Sequence, residues 1–271
     1  MNYSVLITVY KSDNPDYFKL SLESMLKQTK PTNDLVIVKD GYVTKELQAI
    51  IDYYVAIYPG IISQVQLKKN LGLGLALNEG LKVCKNELIA RMDADDISNL
   101  ERCEKQVAMF ELYPNLDIVG CPVKEFIGDP TNIVGKRDVP LDNESIYKYC
   151  KRRDPFNHPT VIYKKSKVLA YGPYGDYRKN QDTDLWIKLL SSGCKCANHP
   201  DYLLMFRFDE RTYIRRKSWI NTKLLIKIRW NAYKSRFCSV IDFSFVVAAQ
   251  ICIYILPEKF QRFVYTKLLR K

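Results

Sequence analysis

The sequence predicts an α/β fold in which helices flank a mainly parallel β-sheet. Over residues 1–121, short apolar runs that suit buried strands alternate with longer amphipathic stretches that suit helices. Turn formers such as Pro59-Gly60 and Pro114 separate these stretches. The chain has 271 residues, of which 47% are hydrophobic and 27% charged, so it can bury a substantial core.

The elements of the first half follow from these patterns in chain order. Residues 3–10, YSVLITVY, form a β-branched apolar run that is long enough for a buried strand. A helix is predicted to begin at Asn14-Pro15, because proline suits the first helical turn, and to continue to about Lys27. The same alternation predicts further strands at 34–40, 62–69, 87–93 and 116–121, and helices at 45–58, 73–84 and 100–113.

The alternation loosens after Gly120. Residues 122–180 are rich in Pro, Gly, Asp and Tyr, and one clear strand is predicted there, at 158–165. A helix is predicted at 182–191, a strand at 201–208 and helical stretches at 215–237 and 240–256. The last stretch is apolar but contains Asp242 and falls short of the ~20 apolar residues of a membrane-spanning helix. A helix lying in the membrane interface fits it better.

Positive charge is concentrated at the C-terminal end. The net charge is +12, yet residues 206–271 contain 15 Lys and Arg against 4 Asp and Glu, whereas residues 1–205 contain 27 against 26. In the tail, basic residues alternate with aromatic and apolar ones, which favours an anionic membrane surface over nucleic acid as the partner. We therefore expect residues 209–271 to form a basic, amphipathic, helical region that associates with the membrane. The alternative is a helical subdomain that packs on the main body.

The cysteines indicate a reducing environment. The eight cysteines form no CxxC pair, and no secretory signal precedes the first predicted strand. We expect reduced, mostly buried thiols and a cytoplasmic location. The spacing of Cys194 and Cys196 does not match a zinc site, so both are predicted to be core residues.

Three carboxylates follow the fourth predicted strand, in the segment ELIARMDADDI. Asp93, Asp95 and Asp96 would lie at the carboxyl edge of the sheet, where ligands of α/β proteins bind. Carboxylates at positions i and i+2 can hold a hard divalent cation that also binds diphosphate oxygens. An acidic turn that caps the next helix is the alternative, although a cap requires one Asp rather than three.

Two other strand ends carry groups that could bind a ligand. Thr8 and Tyr10 end the first strand, where a small donor and an aromatic ring could hold a planar base. Asp40 ends the second strand and could accept the imide N–H of uracil. Tyr10 as a half-buried edge residue and Asp40 as a turn former before Gly41 are the alternatives.

Five segments, in this order, resemble the family 2 glycosyltransferases with the GT-A fold: VLITVYKSDNPDYFKLSLESMLKQT, VIVKDG, NLGLGLALNEGL, ELIARMDADDI and NQDTDLWIKL. The likeness is to the bacterial members that build O-antigen, capsule or exopolysaccharide, and it covers residues 3 to about 208. It implies a Rossmann-like, mixed and mainly parallel sheet flanked by helices. It also implies a catalytic domain over residues 1–208, with a nucleotide-binding half at 1–120 and an acceptor-binding half at 121–208.

The resemblance also implies a donor site. Thr8, Tyr10 and Asp40 would bind the nucleotide, and Asp93 and Asp95 would form the DxD pair that holds Mn²⁺ or Mg²⁺. Asp95 is the metal ligand with the stronger match, and Asp93 lies nearer the ribose. In many relatives an acid stands at the position that Lys39 occupies here.

On the acceptor side, the resemblance matches Asp182 to the general base. Many relatives have Glu where this chain has Gln181, and Asp184 is a rival for the role of base. The alternative is that Asp182 only caps the N-terminus of its helix. An ionised Asp182 is expected at neutral pH, because a helix N-terminus favours a carboxylate.

Two further residues have expected roles near the site. His158, in FNHPTVIY, is expected to shape the donor diphosphate or acceptor pocket, with core packing as the alternative. Arg91 is expected to pair with one of the crowded carboxylates.

The function implied by the resemblance is metal-dependent sugar transfer with inversion at the anomeric carbon. The donor would be a nucleotide sugar, with UDP-hexose or UDP-N-acetylhexosamine favoured, and the acceptor a polyprenyl-diphosphate-linked saccharide at the inner face of the bacterial cytoplasmic membrane. Two other classes of protein fit the sequence less well. A sugar-nucleotide nucleotidyltransferase would need a Gly-rich basic loop after the first strand, and YKSDNPDY has no Gly. A nucleic-acid-binding protein would carry its charge on the main domain, which is nearly neutral.

Overall fold

The computed structural model describes residues 1–208 and 219–255. Its strands are β1 Tyr3–Val9, β2 Asp34–Lys39, β3 Ile62–Gln66, β4 Leu88–Met92, β5 Ile97–Ser98, β6 Ile118–Gly120, β7 Val123–Phe126, β8 Ile133–Arg137, β9 Ile162–Lys164, β10 Cys196–Asn198 and β11 Leu204–Arg207. Its helices are α1 Pro15–Leu26, α2 Lys45–Ile57, α3 Leu73–Val83, α4 Arg102–Leu112, α5 Asn143–Cys150, α6 Lys165–Tyr171, α7 Gln181–Ser191, α8 Trp219–Lys234 and α9 Val240–Ile255.

Seven strands form the main sheet in the order β10-β6-β9-β4-β1-β2-β3. Strand β9 runs antiparallel to both β4 and β6, and the other neighbours in this sheet are parallel. The predicted mixed, mainly parallel sheet is therefore confirmed. Thr8 pairs with Val38, and Ile7 pairs with Met92, so β1, β2 and β4 end at the same edge of the sheet. This register brings the predicted ligand-binding strand ends together.

Both faces of the central strands are buried, which explains their continuous apolar sequences. Side chains alternate along each strand, so Leu6 and Val38 face one core cluster with residues of α3 and α7. Val5 and Ile37 face the other cluster with residues of α1, α2 and α4. The helices on the two faces thus hold the strand ends in fixed positions.

A second sheet, in the order β5-β11-β7-β8, lies next to the carboxyl end of β4. Strand β11 pairs with the short β5 in antiparallel fashion and with β7 in parallel, which places Phe206 and Arg207 in line with the chain that follows β4. The sequence predicted β11 but neither β5, β7 nor β8. Each has five residues or fewer, so its formation depends on partners from distant parts of the chain.

Residues 122–180 also contain two helices, α5 and α6, that the sequence pattern does not predict. The strand predicted at 158–165 is wrong in extent. Residues His158–Thr160 form a 3₁₀ turn, and the strand covers Ile162–Lys164. Proline at position 159 provides the reason, because it has no N–H to donate to a neighbouring strand.

The C-terminal helices α8 and α9 pack on the main body formed by residues 1–208. Ile228 and Ala232 of α8 are buried in the same core cluster as residues of α7. The buried Arg229 side chain donates to the carbonyl of Cys150, and its Nη2 lies 3.6 Å from Asp154 Oδ1. Residues 219–255 thus form a helical hairpin that is packed on the body. The remaining residues of the predicted membrane region, 209–218 and 256–271, lie outside the described residues.

Of the helices that the structure describes, none is both long and apolar enough to cross a bilayer. All eight cysteines are free thiols, and Cys252 on α9 is exposed while the other seven are buried. The predicted mostly buried thiols, including Cys194 and Cys196, are confirmed.

The packing of the hairpin predicts a contrast between two isoleucines. Ile228→Ala is expected to lower the free energy of unfolding by about 2–4 kcal/mol, because it leaves a cavity in the core. Ile241→Ala should change it by about 0.5 kcal/mol or less, because Ile241 is 70% exposed. Urea unfolding of the full chain measures both values. Equal effects of the two substitutions would show that α8 does not pack as described.

Candidate active site

The acidic turn lies between β4 and β5 and holds three carboxylates. Oxygens of Asp93, Asp95 and Asp96 all lie within 4.8 Å of one another. Asp95 is exposed, Asp93 is half-buried and Asp96 is fully buried. None of them caps α4, whose N-cap is Glu101, so the helix-capping alternative is wrong. The turn therefore gathers negative charge at the edge of the sheet.

Two arginines and a serine fix this turn. The buried Arg91 forms an ion pair with Asp93, which confirms the predicted pairing. Ser21 Oγ donates to the Asp93 carbonyl at 2.6 Å. Arg207 donates its backbone N–H to Asp96 Oδ1 at 2.8 Å and its Nε to the Asp95 carbonyl at 2.8 Å.

The Arg207 guanidinium lies between two aromatic rings. Its Cζ is 3.7 Å from the Tyr17 ring centroid and 4.5 Å from that of Phe126. Such cation–π contacts hold the planar group in one orientation. Arg207 comes from β11, more than 100 residues from the acidic turn, and the sequence analysis did not single it out.

Burial and mutual repulsion raise the pKa values of the acidic group. Desolvation raises the pKa of Asp95 to about 6, and the neighbouring Asp93 adds to the shift. The side chain of Asp95 reaches solvent, but it does so inside a cleft where protein atoms replace much of the surrounding water. Burial also raises the pKa of Asp96 well above its usual range. Desolvation, with the charges of Asp95 and Asp93, raises the pKa of Asp13 to about 7.

These residues fit a hard divalent cation. The cluster offers carboxylate oxygens, the donors that Mn²⁺ and Mg²⁺ prefer. Asp96 Oδ2 is buried without a hydrogen-bond partner among the described residues. Burial first, and the neighbouring carboxylates second, raise the pKa values of Asp95 and Asp96 despite Arg91 and Arg207. A cation beside Asp93 and Asp95 would stabilise their ionised forms.

A first cavity of about 610 Å³ opens beside the acidic turn. Its lining includes all of the predicted nucleotide and metal residues except His158, namely Thr8, Tyr10, Asp40, Asp93 and Asp95. The structure thus brings together residues that are up to 87 positions apart. The lining also includes residues that the sequence analysis did not select: Asp13, Asn70, Arg178, Lys179, Asn180, Arg207 and Asn221. Of these, Asp13 could have been selected from the sequence, since it follows the first strand as Asp40 follows the second.

Asp40 is held by the backbone of the chain that leads into α3. Its Oδ1 accepts the Leu71 N–H at 2.7 Å, and its Oδ2 accepts the Gly72 N–H at 3.0 Å. Each oxygen keeps a second lone pair for a ligand. Gly41 has φ of +83°, and a Cβ there would lie 2.7 Å from Asn70 N, so the turn that presents Asp40 requires glycine. Asp40 therefore both precedes a turn and faces the cavity.

A second cavity, of about 510 Å³, adjoins the first. The two share Leu73, Asp93, Asn180, Phe206 and Asn221. The second cavity is lined by Asp182 and His158. Asp184 lines neither cavity, and its Oδ2 lies 2.7 Å from Lys188 Nζ. Asp182, rather than its rival, thus faces the space next to Asp93.

Asp182 lies in the first turn of α7. The N-cap is Asn180, in the left-handed conformation with φ of 58°, so the interpretation of Asp182 as the N-cap is wrong. Asp182 Oδ1 accepts the Thr183 N–H at 3.0 Å. Desolvation and then the charge of Asp154 raise its pKa to about 6. The helix N-terminus was expected to favour the carboxylate, but burial outweighs it; the carboxylate still predominates at pH 7.

His158 is a buried aromatic neighbour of the second cavity. Its Nε2 lies 2.9 Å from Tyr174 Oη, and its ring packs edge-on against Trp186. Burial, and to a lesser extent Arg91, lowers its pKa well below the usual range, so the ring is neutral. The structure places His158 away from the first cavity, and its nucleotide-sugar role stays a prediction.

The chain is similar to glycosyltransferases in sequence. The profile of Glycosyl transferase family 2 matches residues 4–169. The UDP-Gal:alpha-D-GlcNAc-diphosphoundecaprenol beta-1,3-galactosyltransferase of Escherichia coli is 34% identical over 269 residues, which cover 99% of this chain and 97% of that protein. The amylovoran biosynthesis glycosyltransferase AmsE of Erwinia amylovora is 33% identical over 265 residues, which cover 98% of each chain.

Solved structures share the fold. The mannosyltransferase PcManGT of Pyrobaculum calidifontis, in complex with GDP-Man and Mn²⁺, superposes with a TM-score of 0.66 at 15% identity over 96% of this chain and 71% of that one. S. aureus TarS in complex with UDP-GlcNAc superposes with a TM-score of 0.68 at 18% identity over 99% and 76%. At these identities the likeness establishes the GT-A fold, as the sequence predicted.

The raised pKa of Asp182 predicts how its charge affects stability. The folded protein binds this proton more tightly than the unfolded chain, so stability falls as the pH rises from about 4 to about 6 and stays at the lower level above that. Asp182→Asn is therefore expected to melt at a higher temperature than the wild type at pH 8. The difference should shrink toward pH 5, where the wild-type carboxyl is protonated in the folded state.

Differential scanning calorimetry across pH 5–8 measures this difference. Asp176→Asn, which removes an exposed carboxylate near α7, provides the matched control and should show no such trend. A wild type that is more stable than Asp182→Asn at pH 8 would contradict the raised pKa.

Proposed function

Because the chain belongs to glycosyltransferase family 2, we propose that it transfers a hexose or N-acetylhexosamine from a nucleotide sugar to a lipid-linked saccharide, with metal dependence and inversion. Family membership confirms the predicted enzyme class. The observation that carries the proposal is the junction of two cavities at Asp93, with the acidic turn on one side and Asp182 on the other. Such a junction allows a donor and an acceptor to meet in line.

The first cavity would bind the donor, for which we propose a UDP-sugar. Asp40 presents acceptor lone pairs suited to the imide N–H of uracil, and Tyr10, at 40% exposure, offers a ring face for the base. The E. coli relative is named for UDP-Gal, and the TarS complex contains UDP-GlcNAc. Arg178 and Lys179 line the same cavity and contribute positive charge toward the diphosphate.

Asp93 and Asp95 would hold Mn²⁺ or Mg²⁺. When bound, the ion offsets the negative charge that builds on the departing diphosphate. Arg91 pairs with the Asp93 carboxylate, and Arg207 holds the backbone carbonyl of Asp95, which leaves the Asp95 carboxylate available to the ion. Asp96 is engaged by the Arg207 backbone and so serves to hold the turn.

The second cavity would bind the acceptor. Asp182 accepts the proton of the acceptor hydroxyl as its oxygen attacks the anomeric carbon, on the face opposite the diphosphate. This attack inverts the anomeric configuration. A pKa of about 6 leaves Asp182 ionised at neutral pH and still basic enough to take a proton. The Asn180–Asn221 hydrogen bond of 2.8 Å ties the start of α7 to α8 at the boundary of the two cavities.

We propose a polyprenyl-diphosphate-linked saccharide as the acceptor, in O-antigen, capsule or exopolysaccharide synthesis. The E. coli relative is named for a GlcNAc-diphosphoundecaprenol acceptor, and AmsE for amylovoran biosynthesis. Both relatives align along almost the whole of this chain, including the helical hairpin, which supports a shared type of acceptor.

Helix α9 would contact the inner face of the cytoplasmic membrane. Five small or apolar side chains at i, i+4, i+7, i+11 and i+14 are exposed along one face: Ile241, Phe245, Ala248, Cys252 and Ile255. The surplus of positive charge in residues 206–271 adds attraction to anionic lipid. The hairpin also lines the second cavity, through Leu225, Gln250 and Ile253. Deleting residues 209–271 would therefore damage that cavity as well as any membrane contact, so substitutions on the exposed face test attachment better.

The assignment of Asp182 as the base predicts that substitutions of Asp182 and Asp184 affect activity differently. Asp182→Asn is expected to lower kcat by roughly 10²–10⁴-fold, because the acceptor hydroxyl loses its base, while the KM for the UDP-sugar stays within about twofold. Steady-state transfer from a UDP-sugar to a saccharide-diphosphate-alkyl acceptor, with the anomeric product determined by NMR, measures the effect. Asp184→Asn is the control and should retain most activity. An inactive Asp184→Asn beside an active Asp182→Asn would reverse the assignment.

The membrane contact predicts a loss of lipid binding. Ile241→Glu/Phe245→Glu is expected to release the full-length protein from sedimenting vesicles that contain anionic lipid, because charges replace the two exposed apolar side chains. Leu112→Glu, at an equally exposed leucine on α4, is the control and should leave binding unchanged. Unaltered sedimentation of the double variant would exclude α9 as the membrane contact.

A further inference from the structure

The second cavity has a buried floor and an exposed rim. Arg91, His158 and Gln181 are buried at the floor, next to Asp182. Arg153 and Asp138 are exposed at the rim. The cavity is thus polar at its base and open to solvent at its mouth, where α5 and the helical hairpin meet.

Arg153 differs from the other arginines around this cavity. Arg91 pairs with Asp93, and Arg137 Nη2 lies 2.7 Å from Glu125 Oε1. The adjacent Arg152 lies outside the cavity lining and pairs with Asp242 at 2.6 Å. Arg153 has no carboxylate partner among residues 1–208 and 219–255, and its guanidinium lies 5.6 Å from the Tyr149 ring centroid. The two exposed carboxylates of the lining have other partners, since Asp138 accepts from Tyr202 Oη and Asp154 lies 3.6 Å from Arg229 Nη2. A guanidinium without an ion pair at a cavity mouth is suited to an anionic ligand.

Arg137 lies along the same rim and is partly exposed, at 29%. Its Cζ lies 4.7 Å from the Phe206 ring centroid, and its Nη1 reaches Asn157 at a long 3.4 Å. The group is therefore oriented by an aromatic ring and retains donor capacity. The exposed Arg153 and the partly exposed Arg137 thus both line the opening of the second cavity.

Apolar side chains line the same cavity. Leu225 of α8 and Ile253 of α9 are both half-buried there, and α9 carries further exposed apolar side chains on its outer face. The cavity thus combines the carboxylate of Asp182, the guanidinium groups of Arg153 and Arg137, and apolar side chains. A glycosyl diphosphate on a hydrocarbon chain carries groups that match each of them: hydroxyls, diphosphate and chain.

We propose that Arg153, assisted by Arg137, forms a subsite for the diphosphate of the acceptor. The inference rests on the proposed function and specifies which part of the acceptor the protein recognises outside the reacting sugar. This subsite is distinct from that of the donor diphosphate, because neither arginine lines the first cavity. Guanidinium groups bind phosphate oxygens bidentately, which fixes how far the saccharide reaches toward Asp182.

The subsite can be tested with two acceptors that carry the same saccharide and differ only in how it is joined to an alkyl chain. In one the saccharide is joined to an alkyl chain through a diphosphate, and in the other it is joined directly. Arg153→Gln is expected to raise the KM for the diphosphate acceptor at least tenfold, because a charge-assisted pair is lost. The KM for the direct glycoside and the KM for the UDP-sugar should both be unchanged. A saccharide-free alkyl diphosphate should inhibit the wild type competitively with the acceptor, and its Ki should rise in Arg153→Gln by the same factor.

Lys148→Gln is the matched control, since it removes an exposed positive charge from α5 outside the cavity and should leave every constant unchanged. An equal change of KM for both acceptors, or no change for either, would overturn the subsite while transfer by the wild type upholds the proposed function. An increase in KM for the UDP-sugar alone would assign Arg153 to the donor instead. A wild type that transfers to neither acceptor would overturn the proposed function, and the subsite with it.

Discussion

The candidate site depends on the close and partly buried placement of three carboxylates at one edge of the sheet. Asp93, Asp95 and Asp96 are held within 4.8 Å, a distance at which like charges in a cleft strongly disfavour one another. Arg91 from below and Arg207 from the second sheet compensate part of this charge. The pKa values of Asp95 and Asp96 are still raised, because burial and the neighbouring carboxylates outweigh these contacts. A divalent cation at this turn would offset the cost of keeping these carboxylates ionised and would in turn attract a diphosphate.

The second sheet and the helical hairpin build the rest of the site around this turn. Strand β11 delivers Arg207 to the acidic turn and Phe206 to both cavities. The hairpin contributes Asn221 to both cavities, and its Arg229 contacts Asp154, whose charge raises the pKa of Asp182. The C-terminal helices therefore line both cavities and also carry the proposed membrane contact, so packing on the main body and membrane association do not exclude each other.

Carboxyl groups with raised pKa values lie on both sides of the junction at Asp93. Asp13 and Asp95 lie in the first cavity, with pKa values of about 7 and about 6, and Asp182 lies in the second, with a pKa of about 6. Burial is the largest cause in all three. A site that excludes water in this way strengthens its interactions with phosphate and metal charges, and it keeps a carboxylate basic near neutral pH. Burial of these carboxyl groups thus lowers the stability of the fold, and the same burial favours the binding and proton transfer proposed for the site.

The sequence by itself determined the central strands and the residues at their ends. Thr8, Asp40 and Asp93 follow local apolar runs, and parallel strands bring their carboxyl ends to one edge whatever the rest of the chain does. The tertiary structure alone decided the role of Arg207, the engagement of Asp40 by backbone amides, the neutral and buried state of His158, and the packing of α8. These features join residues tens to more than a hundred positions apart through short elements. The direction of the pKa shift of Asp182 belongs with them, because desolvation by distant side chains outweighs the local field of its own helix.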